Sequence, residues 1–443
     1  MIWSKYNFLY KSKKHNVYLL YNSLSNSFLK LDNDIILTAI IKIKEDVDNF
    51  DFTNKEDFFK LLKKSKIILD SDETEILKIK NKILLNRYSP YNLTLTLLPT
   101  LACNFNCPYC FVKESNIFMD DFVENKIIMF IQKQIIKHST LINLTWMGGE
   151  PLLNFKRIRS LTQKIQSLEA YFKADLITNG YLLTREKINE LQNLSIKLVQ
   201  VTIDGYGDTH DKTRIHKSNK KSFSKIINNI DTFFSIFNTR DTIGLNVRIN
   251  LLKEENYLSK FFELYSFLKE RYPFENLYIT PGFVQDSCHS GNNMDCDFNR
   301  GLINNFYLEL IEKYKITEYS NYPKNEMSEC AVKSIYTSVI GPSAELYTCW
   351  DYIGNNSKSV GYINNDGISV ITDENLYYKY ITGADYLNDA KCLDCFYLPI
   401  CFGGCPEKRV RNFYNGTNLD NCCIQKDNLE EILDSHYTIK YSH

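Results

Sequence analysis

The spacing of apolar and polar positions changes twice along the chain. Near the N-terminus the apolar runs 17–21 and 28–31 flank a polar stretch at 22–27, the pattern of a β-hairpin. Helical spacing follows at 35–43, with Ile36, Ile40 and Ile43 in step, and again at 58–64 ahead of a strand-like run at 66–69. A third amphipathic stretch, 73–85, leads into Arg87-Tyr88-Ser89-Pro90, where proline disfavours helix in the residue before it. A hairpin followed by helices predicts a small winged-helix-like domain over residues 1–90.

From residue 92 to 283 short β runs alternate with helical stretches. The pattern predicts strands at 93–98, 142–146, 174–178, 198–203, 244–250 and 277–280, with helices near 119–137, 154–168, 184–193, 222–236 and 257–270. Such βα repeats imply an α/β domain over residues 91–300, its parallel sheet joined by right-handed crossovers as an open sheet or a partial barrel. In either form, ligands are expected at the C-terminal ends of the strands. The final part, 301–443, reads as helical to Tyr314 and irregular beyond it, and no period marks a solenoid.

Composition narrows the class. The 443 residues are 44% hydrophobic and 24% charged, which excludes wholesale disorder and coiled coil. Fifty-three basic residues balance 53 acidic ones, so no global field draws the chain to nucleic acid or to a membrane surface. The start lacks the apolar run of a secretory signal, and no uncharged apolar stretch of about 20 residues occurs, which predicts a cytoplasmic protein. Thirteen cysteines in a reducing compartment point to metal ligation rather than to disulfides.

Cys103-Asn104-Phe105-Asn106-Cys107-Pro108-Tyr109-Cys110 is C-x3-C-x2-C directly after the first predicted strand, where this architecture places a ligand. Three such thiolates can hold three irons of a 4Fe–4S cluster and leave one iron open to a substrate or cofactor. The bland alternative is a set of buried structural thiols. The motif, with Tyr109 before its last cysteine and Phe111 after it, resembles the signature of the radical S-adenosylmethionine (SAM) superfamily. That resemblance implies a partial (β/α)6 barrel in which the open iron chelates SAM and cluster reduction yields a 5'-deoxyadenosyl radical.

Further marks of the same family lie at successive predicted strand ends. Trp146-Met147-Gly148-Gly149-Glu150-Pro151 resembles the segment that binds the SAM amino group, so Gly148, Gly149 and Glu150 are candidate cofactor contacts. Asn179, in Thr178-Asn179-Gly180, stands where the family holds the ribose. Thr202, in Thr202-Ile203-Asp204-Gly205, is a candidate for the methionine carboxylate, and His210-Asp211 and Arg214 complete a segment common in peptide-modifying members.

The C-terminal cysteines are similar to the SPASM domain that follows the barrel in peptide and sulfatase maturases. By that resemblance Cys392, Cys395, Cys401 and Cys423 hold a distal auxiliary cluster, and Cys405 joins Cys330 and Cys349 at a proximal one. Family spacing favours Cys423 over the adjacent Cys422. The 392–405 run could also hold zinc, since paired knuckles do so in many folds. Sulfatase-maturing members carry a further cysteine in the interval matching 331–348, and this chain has none there.

Together these marks imply an enzyme with about three 4Fe–4S clusters, SAM, a ribosomally made precursor peptide as partner, and an electron donor such as flavodoxin or ferredoxin. The first 90 residues resemble a leader-peptide recognition domain, which adds the peptide to its hairpin as a strand; binding of DNA by a winged helix is the alternative. Since the barrel and the cysteines lie downstream, removal of residues 1–88 is expected to spare SAM cleavage. The reaction expected is a crosslink or similar modification, with formylglycine formation as a second enzymatic reading and a non-enzymatic iron-sulfur or zinc protein as a third. The loop from Gln285 through Cys288 to Cys296 is expected to overhang the strand ends, as a substrate contact, a remote ligand or a plain connection. No spacing singles out a general base.

Overall fold

Six strands, β1 (Asn92–Leu97), β2 (Leu141–Trp146), β3 (Tyr171–Thr178), β4 (Ile196–Ile203), β5 (Gly244–Leu251) and β6 (Leu277–Phe283), lie side by side in chain order, and every neighbouring pair is parallel. Helices Asp121–Gln134, Phe155–Gln166, Arg185–Glu190, Phe223–Ile236 and Tyr257–Arg271 fill the connections. This computed structural model describes residues 1–135, 140–285, 298–324 and 329–441. Its α/β architecture, with a largely parallel sheet, is that of a partial barrel, as the βα alternation predicts. Parallel strands bury both faces and therefore read as near-continuous apolar runs; Leu95, Leu97, Val199, Val201, Ile203, Val247 and Ile249 are all inaccessible to solvent.

The chain forms two units. Ser89–Phe298 and Ser334–Ile381 make one; Met1–Tyr88, Asn299–Lys333 and Thr382–His443 make the other. In the first, the sheet continues past β1. β7 (Thr337–Ile340) pairs with β1 in parallel, and β8 (Glu345–Tyr347), β9 (Gly361–Ile363) and β10 (Ser369–Ile371) follow antiparallel. The sequence reads as irregular here because strands of three or four residues carry too few alternations for a period-2 signal.

In the other unit Asn7–Ser12, Val17–Asn22 and Ser27–Leu31 form an antiparallel sheet, one strand more than the expected hairpin. Asn7–Ser12 buries only Tyr10 and Ser12, which hides its alternation. Helices Asp34–Glu45, Glu56–Lys64 and Asp72–Arg87 follow. Asn33 starts the first of them, its side-chain oxygen accepting the N–H groups of Ile35 and Ile36.

The core of this unit joins residues far apart in the chain. Tyr6, Ile79 and Ile83 pack with Tyr386, Leu387, Leu398 and Phe402. Tyr10, Val17, Leu19, Tyr21 and Phe28 pack with Leu429 and Leu433 of the C-terminal helix Leu429–Tyr441. Each such side chain contributes about 1.5–3 kcal/mol on burial. Residues 1–88 thus supply part of the core under the C-terminal cysteines, and their removal would strip it. Arg87 adds an ionic tie: its guanidinium, 1% exposed, donates to Glu329 at 2.7 and 2.8 Å and to Asp385 at 2.5 Å. No helix among the described residues is long and apolar enough to cross a membrane.

Candidate active site

The Cys103–Cys110 loop leaves the end of β1 and is stitched down on both sides. Thr100 Oγ1 and the Leu101 N–H donate to the Ile117 carbonyl at 2.7 and 3.1 Å, and the Met119 N–H donates to Pro99. Further along, the Asn106 N–H donates to Ile215 O at 2.8 Å and the Lys217 N–H to Asn104 O at 2.9 Å. The turn after β2 supports the same loop, through Gly149 N–H to Thr100 O at 3.2 Å and Glu150 N–H to Ala102 O at 2.8 Å. Both glycines are required for this approach: a Cβ at Gly148 would lie 2.3 Å from Thr100 O, and one at Gly149 2.3 Å from Ala102 O.

The three thiols of the loop sense one another. Burial pushes Cys103 up to about 12, helped by the Glu150 charge, and Cys107 up to about 11, opposed by Arg214. Cys110 is raised too by the packing around its sulfur, although part of the residue is exposed. Thiolates in so dry a place need a bound cation to hold them deprotonated. Three clustered sulfurs, with the Arg214 guanidinium nearby, therefore suit three irons of a 4Fe–4S cluster.

Of the other sequence-predicted cofactor residues, Gly148, Gly149, Glu150, Asn179 and Arg214 meet that loop or its approach, whereas Thr202 is placed only on its strand. The Glu150 carboxylate is fully buried and accepts the Leu152 N–H at 3.0 Å, the Thr178 hydroxyl at 2.7 Å and the Asn179 N–H at 2.8 Å. Burial raises its pKa, and these hydrogen bonds oppose the rise. With both oxygens engaged, Glu150 locks the end of β2 to the end of β3. Asn179 donates to Asn104 Oδ1 at 2.7 Å, and Thr202 is buried on β4. Arg214 is buried, with its guanidinium 5.6 Å over the Phe105 ring and Nη1 donating to the Tyr109 hydroxyl at 3.0 Å.

Tyr109 is the hub of this arrangement. The Tyr109 hydroxyl donates to Asp204 Oδ2 at 2.5 Å, Thr213 donates to the same oxygen at 2.7 Å, and Asn250 donates to the Tyr109 oxygen at 3.3 Å. Asp204 Oδ1, Arg214 Nε and Asn104 Nδ2 are buried without a hydrogen-bond partner among the described residues, polar atoms left over for a ligand. A cavity of about 230 Å³ opens there, lined by Asp204, Thr209, Thr213, Asn250 and Tyr257. Burial raises Asp204, opposed first by Arg214. His210 accepts the Asp204 N–H on Nδ1 at 3.3 Å and is held neutral, its pKa pushed well below 6.5 by burial and then by Arg214. The signal for Tyr109 was present as the aromatic inside Cys-x2-Cys, and nothing in the sequence paired it with Asp204.

The C-terminal cysteines gather around a glycine contact. Gly404 has φ +69°, and a Cβ there would lie 1.4 Å from Asn421 O. The Cys405 N–H donates to that oxygen at 3.1 Å and Asn421 Nδ2 to Gly403 O at 3.2 Å, which brings 421–423 against the Cys401 turn. The Cys401 and Cys423 sulfurs are hydrogen-bond partners, which lowers Cys401 and raises Cys423, while Cys395 senses Cys401 and Cys422. Cys422 instead accepts Lys426 Nζ at 3.5 Å. Cys392 lies one turn before Cys395, whose N–H donates to the Cys392 carbonyl at 3.1 Å. This is a thiol-rich donor set suited to a cluster in which each iron takes its own thiolate. No group of three or more His, Cys, Asp and Glu side chains among the described residues is arranged to hold a single metal ion.

Cys330 precedes the turn Ala331–Lys333, Cys405 precedes the helix Pro406–Asn415, and Cys349 precedes the turn Trp350–Tyr352. Cys288 and Cys296, with the loop that carries them, lie outside the described residues.

Residues 97–264 match the radical SAM superfamily. The cysteine-type anaerobic sulfatase-maturating enzyme of Clostridium novyi (strain NT) is 23% identical over 356 residues, which are 75% of this chain and 92% of that protein. The native anSMEcpe structure with bound AdoMet and Cp18Cys peptide superposes with a TM-score of 0.59 at 18% identity, over 79% of this chain and 98% of that one. Streptococcus suis SuiB bound to precursor peptide SuiA superposes with a TM-score of 0.52 at 15% identity, over 91% of this chain and 95% of that one.

Proposed function

We propose, from the premise that residues 97–264 are a radical SAM domain and the chain an enzyme, that it modifies a ribosomally made precursor peptide, installing a crosslink. The observation that supports this most is the Cys103–Cys110 loop, seated on Gly148 and Gly149 beside buried polar atoms that lack partners. Cys103, Cys107 and Cys110 would hold a 4Fe–4S cluster. Bound there, that cluster supplies the electron that cleaves SAM. Gly148, Gly149, Asn179, Thr202 and Arg214 would line the SAM site, Glu150 would brace it, and the cavity beside Asp204 would exclude water from the reacting groups.

Cys392, Cys395, Cys401 and Cys423 would hold the distal auxiliary cluster, and Cys330, Cys349 and Cys405 a proximal one, for about three clusters in all. The peptide reading draws on the likeness to SuiB. At 91% coverage that likeness leaves fewer residues unmatched than the first 90, so it takes in part of the N-terminal segment. The peptide would add as a strand to the sheet of Asn7–Ser12, Val17–Asn22 and Ser27–Leu31, taking affinity from backbone hydrogen bonds. A flavodoxin or ferredoxin would deliver electrons.

The formylglycine reading is favoured by the Clostridium novyi relative, 92% of which is covered. The lack of a cysteine between Cys330 and Cys349 stands against it. One experiment separates the readings. Anaerobically reconstituted enzyme, SAM and a one-electron reductant are incubated with each short peptide found in the neighbouring open reading frames, or with a sulfatase-derived Cys peptide. Loss of two hydrogens from the first supports crosslinking, and aldehyde formation in the second supports the maturase. Absence of 5'-deoxyadenosine from both rejects the radical SAM premise.

A further inference from the structure

Arg409 lies on the helix Pro406–Asn415, and all three of its guanidinium nitrogens are committed. Nε donates to the Ala384 carbonyl at 2.9 Å, Nη2 to Asp389 Oδ2 at 2.6 Å, and Nη1 to the Cys392 sulfur at 3.4 Å. The side chain is 15% exposed, so the fork is fixed rather than sampled. Asp389 is tied to the same cysteine in two ways. Its Oδ1 caps the helix Ala390–Leu393 by accepting the Lys391 N–H at 3.0 Å, and its Oδ2 accepts the Cys392 thiol at 3.6 Å. A cation and an anion thus flank one sulfur of the proposed distal set.

We infer that Arg409 and Asp389 set the reduction potential of the cluster held by Cys392, Cys395, Cys401 and Cys423, Arg409 raising it and Asp389 lowering it. Reduction adds one negative charge to such a cluster. A charged N–H directed at a ligand sulfur favours that extra charge, and a carboxylate beside it disfavours it. When Cys392 is a metal-bound thiolate it has no proton to give Asp389, whose carboxylate keeps its 2.6 Å bond from Arg409 beside the sulfur. Deletion of either partner should therefore shift the potential in opposite directions, which a role confined to packing would not produce.

The inference rests on the proposed ligand set, and its test keeps the two apart. The full chain is prepared with Cys103, Cys107, Cys110 and Cys349 replaced by Ala, so that the distal set is the one left whole. Iron and zinc are measured first. Zinc in place of iron, or iron that survives Cys392→Ala undiminished, rejects the ligand set itself. With iron present, the midpoint is read by a mediated titration followed by electron paramagnetic resonance. Arg409→Gln should move it to more negative potential, Arg409→Lys should restore part of the shift, and Asp389→Asn should move it to more positive potential. An unmoved midpoint in Arg409→Gln with iron retained overturns the inference, as do shifts of the same sign in both deletions. If Arg409→Gln sheds its iron, Asp389→Asn decides alone: a positive shift supports the pair and no shift overturns it.

Discussion

The Tyr109 hydroxyl and the Asp204 carboxylate, joined by a 2.5 Å hydrogen bond, connect the far end of the cysteine loop to the end of β4. Arg214 and Asn250 reach the same phenol oxygen, so one tyrosine gathers the 103–110 loop, the segment after β4 and the end of β5.

Removing that oxygen should loosen the loop without emptying the barrel. Tyr109→Phe costs about 1–3 kcal/mol, since it leaves the buried Asp204 short of a donor. Asp204→Ala costs about 3–5 kcal/mol, because the buried Arg214 then loses its counter-charge. Thermal unfolding of the two variants should rank them in that order. Midpoints equal to that of the parent protein would show that the network carries no stability.

Gly149→Ala tests the seat of the loop. A methyl group 2.3 Å from Ala102 O cannot be accommodated without moving the backbone just before Cys103. The variant should fold, bind roughly one cluster's worth less iron and lose SAM cleavage. Full iron and full cleavage would show that the contact is dispensable.

His210 makes stability depend on pH. Its folded pKa is depressed by burial and Arg214, whereas the unfolded chain titrates near about 6.5. Above that value neither state binds the proton and the contribution is complete. Below it the unfolded chain gains a proton that the folded one refuses, and stability falls by up to about 1.4 kcal/mol per pH unit. Unfolding midpoints taken at about pH 7.5 and about pH 5.5 should drop less in His210→Gln than in the parent protein.

Arg87→Ala leaves the largely covered Glu329 without its cation and Asp385 with only Lys333, 3.9 Å away, at a cost of about 3–5 kcal/mol. Arg87→Lys recovers only part, since an ammonium group does not span two carboxylates as the guanidinium fork does. A lysine variant as stable as the parent would show that point charge suffices.

The six barrel strands were legible within a few residues because each is a dense apolar run bounded by turn residues. The cysteine loop was legible because thiol spacing is itself chemical. β7 to β10 were not, since three-residue strands carry no period and their pairing partner β1 lies more than 200 residues upstream. Tyr109, Asp204 and Arg409 escaped for a related reason. Each derives its role from a partner on another element, and no alternation of side chains encodes which tyrosine meets which carboxylate.

The packing of Leu19 and Tyr21 against Leu429 and Leu433 governs how the protein is made. A ribosome adds about 5–20 residues per second, so the first strands wait tens of seconds for the helix that covers them. Until then their apolar face stands open to chaperones and to other nascent chains, and sequence separation on this scale also slows the search for native contacts. The barrel strands β1 to β6 are complete much earlier, with β1 still an unpaired edge until β7 emerges. The proposed distal set, which ends at Cys423, is likewise complete only as synthesis closes, so a cluster held there would be loaded after the N-terminal strands have waited.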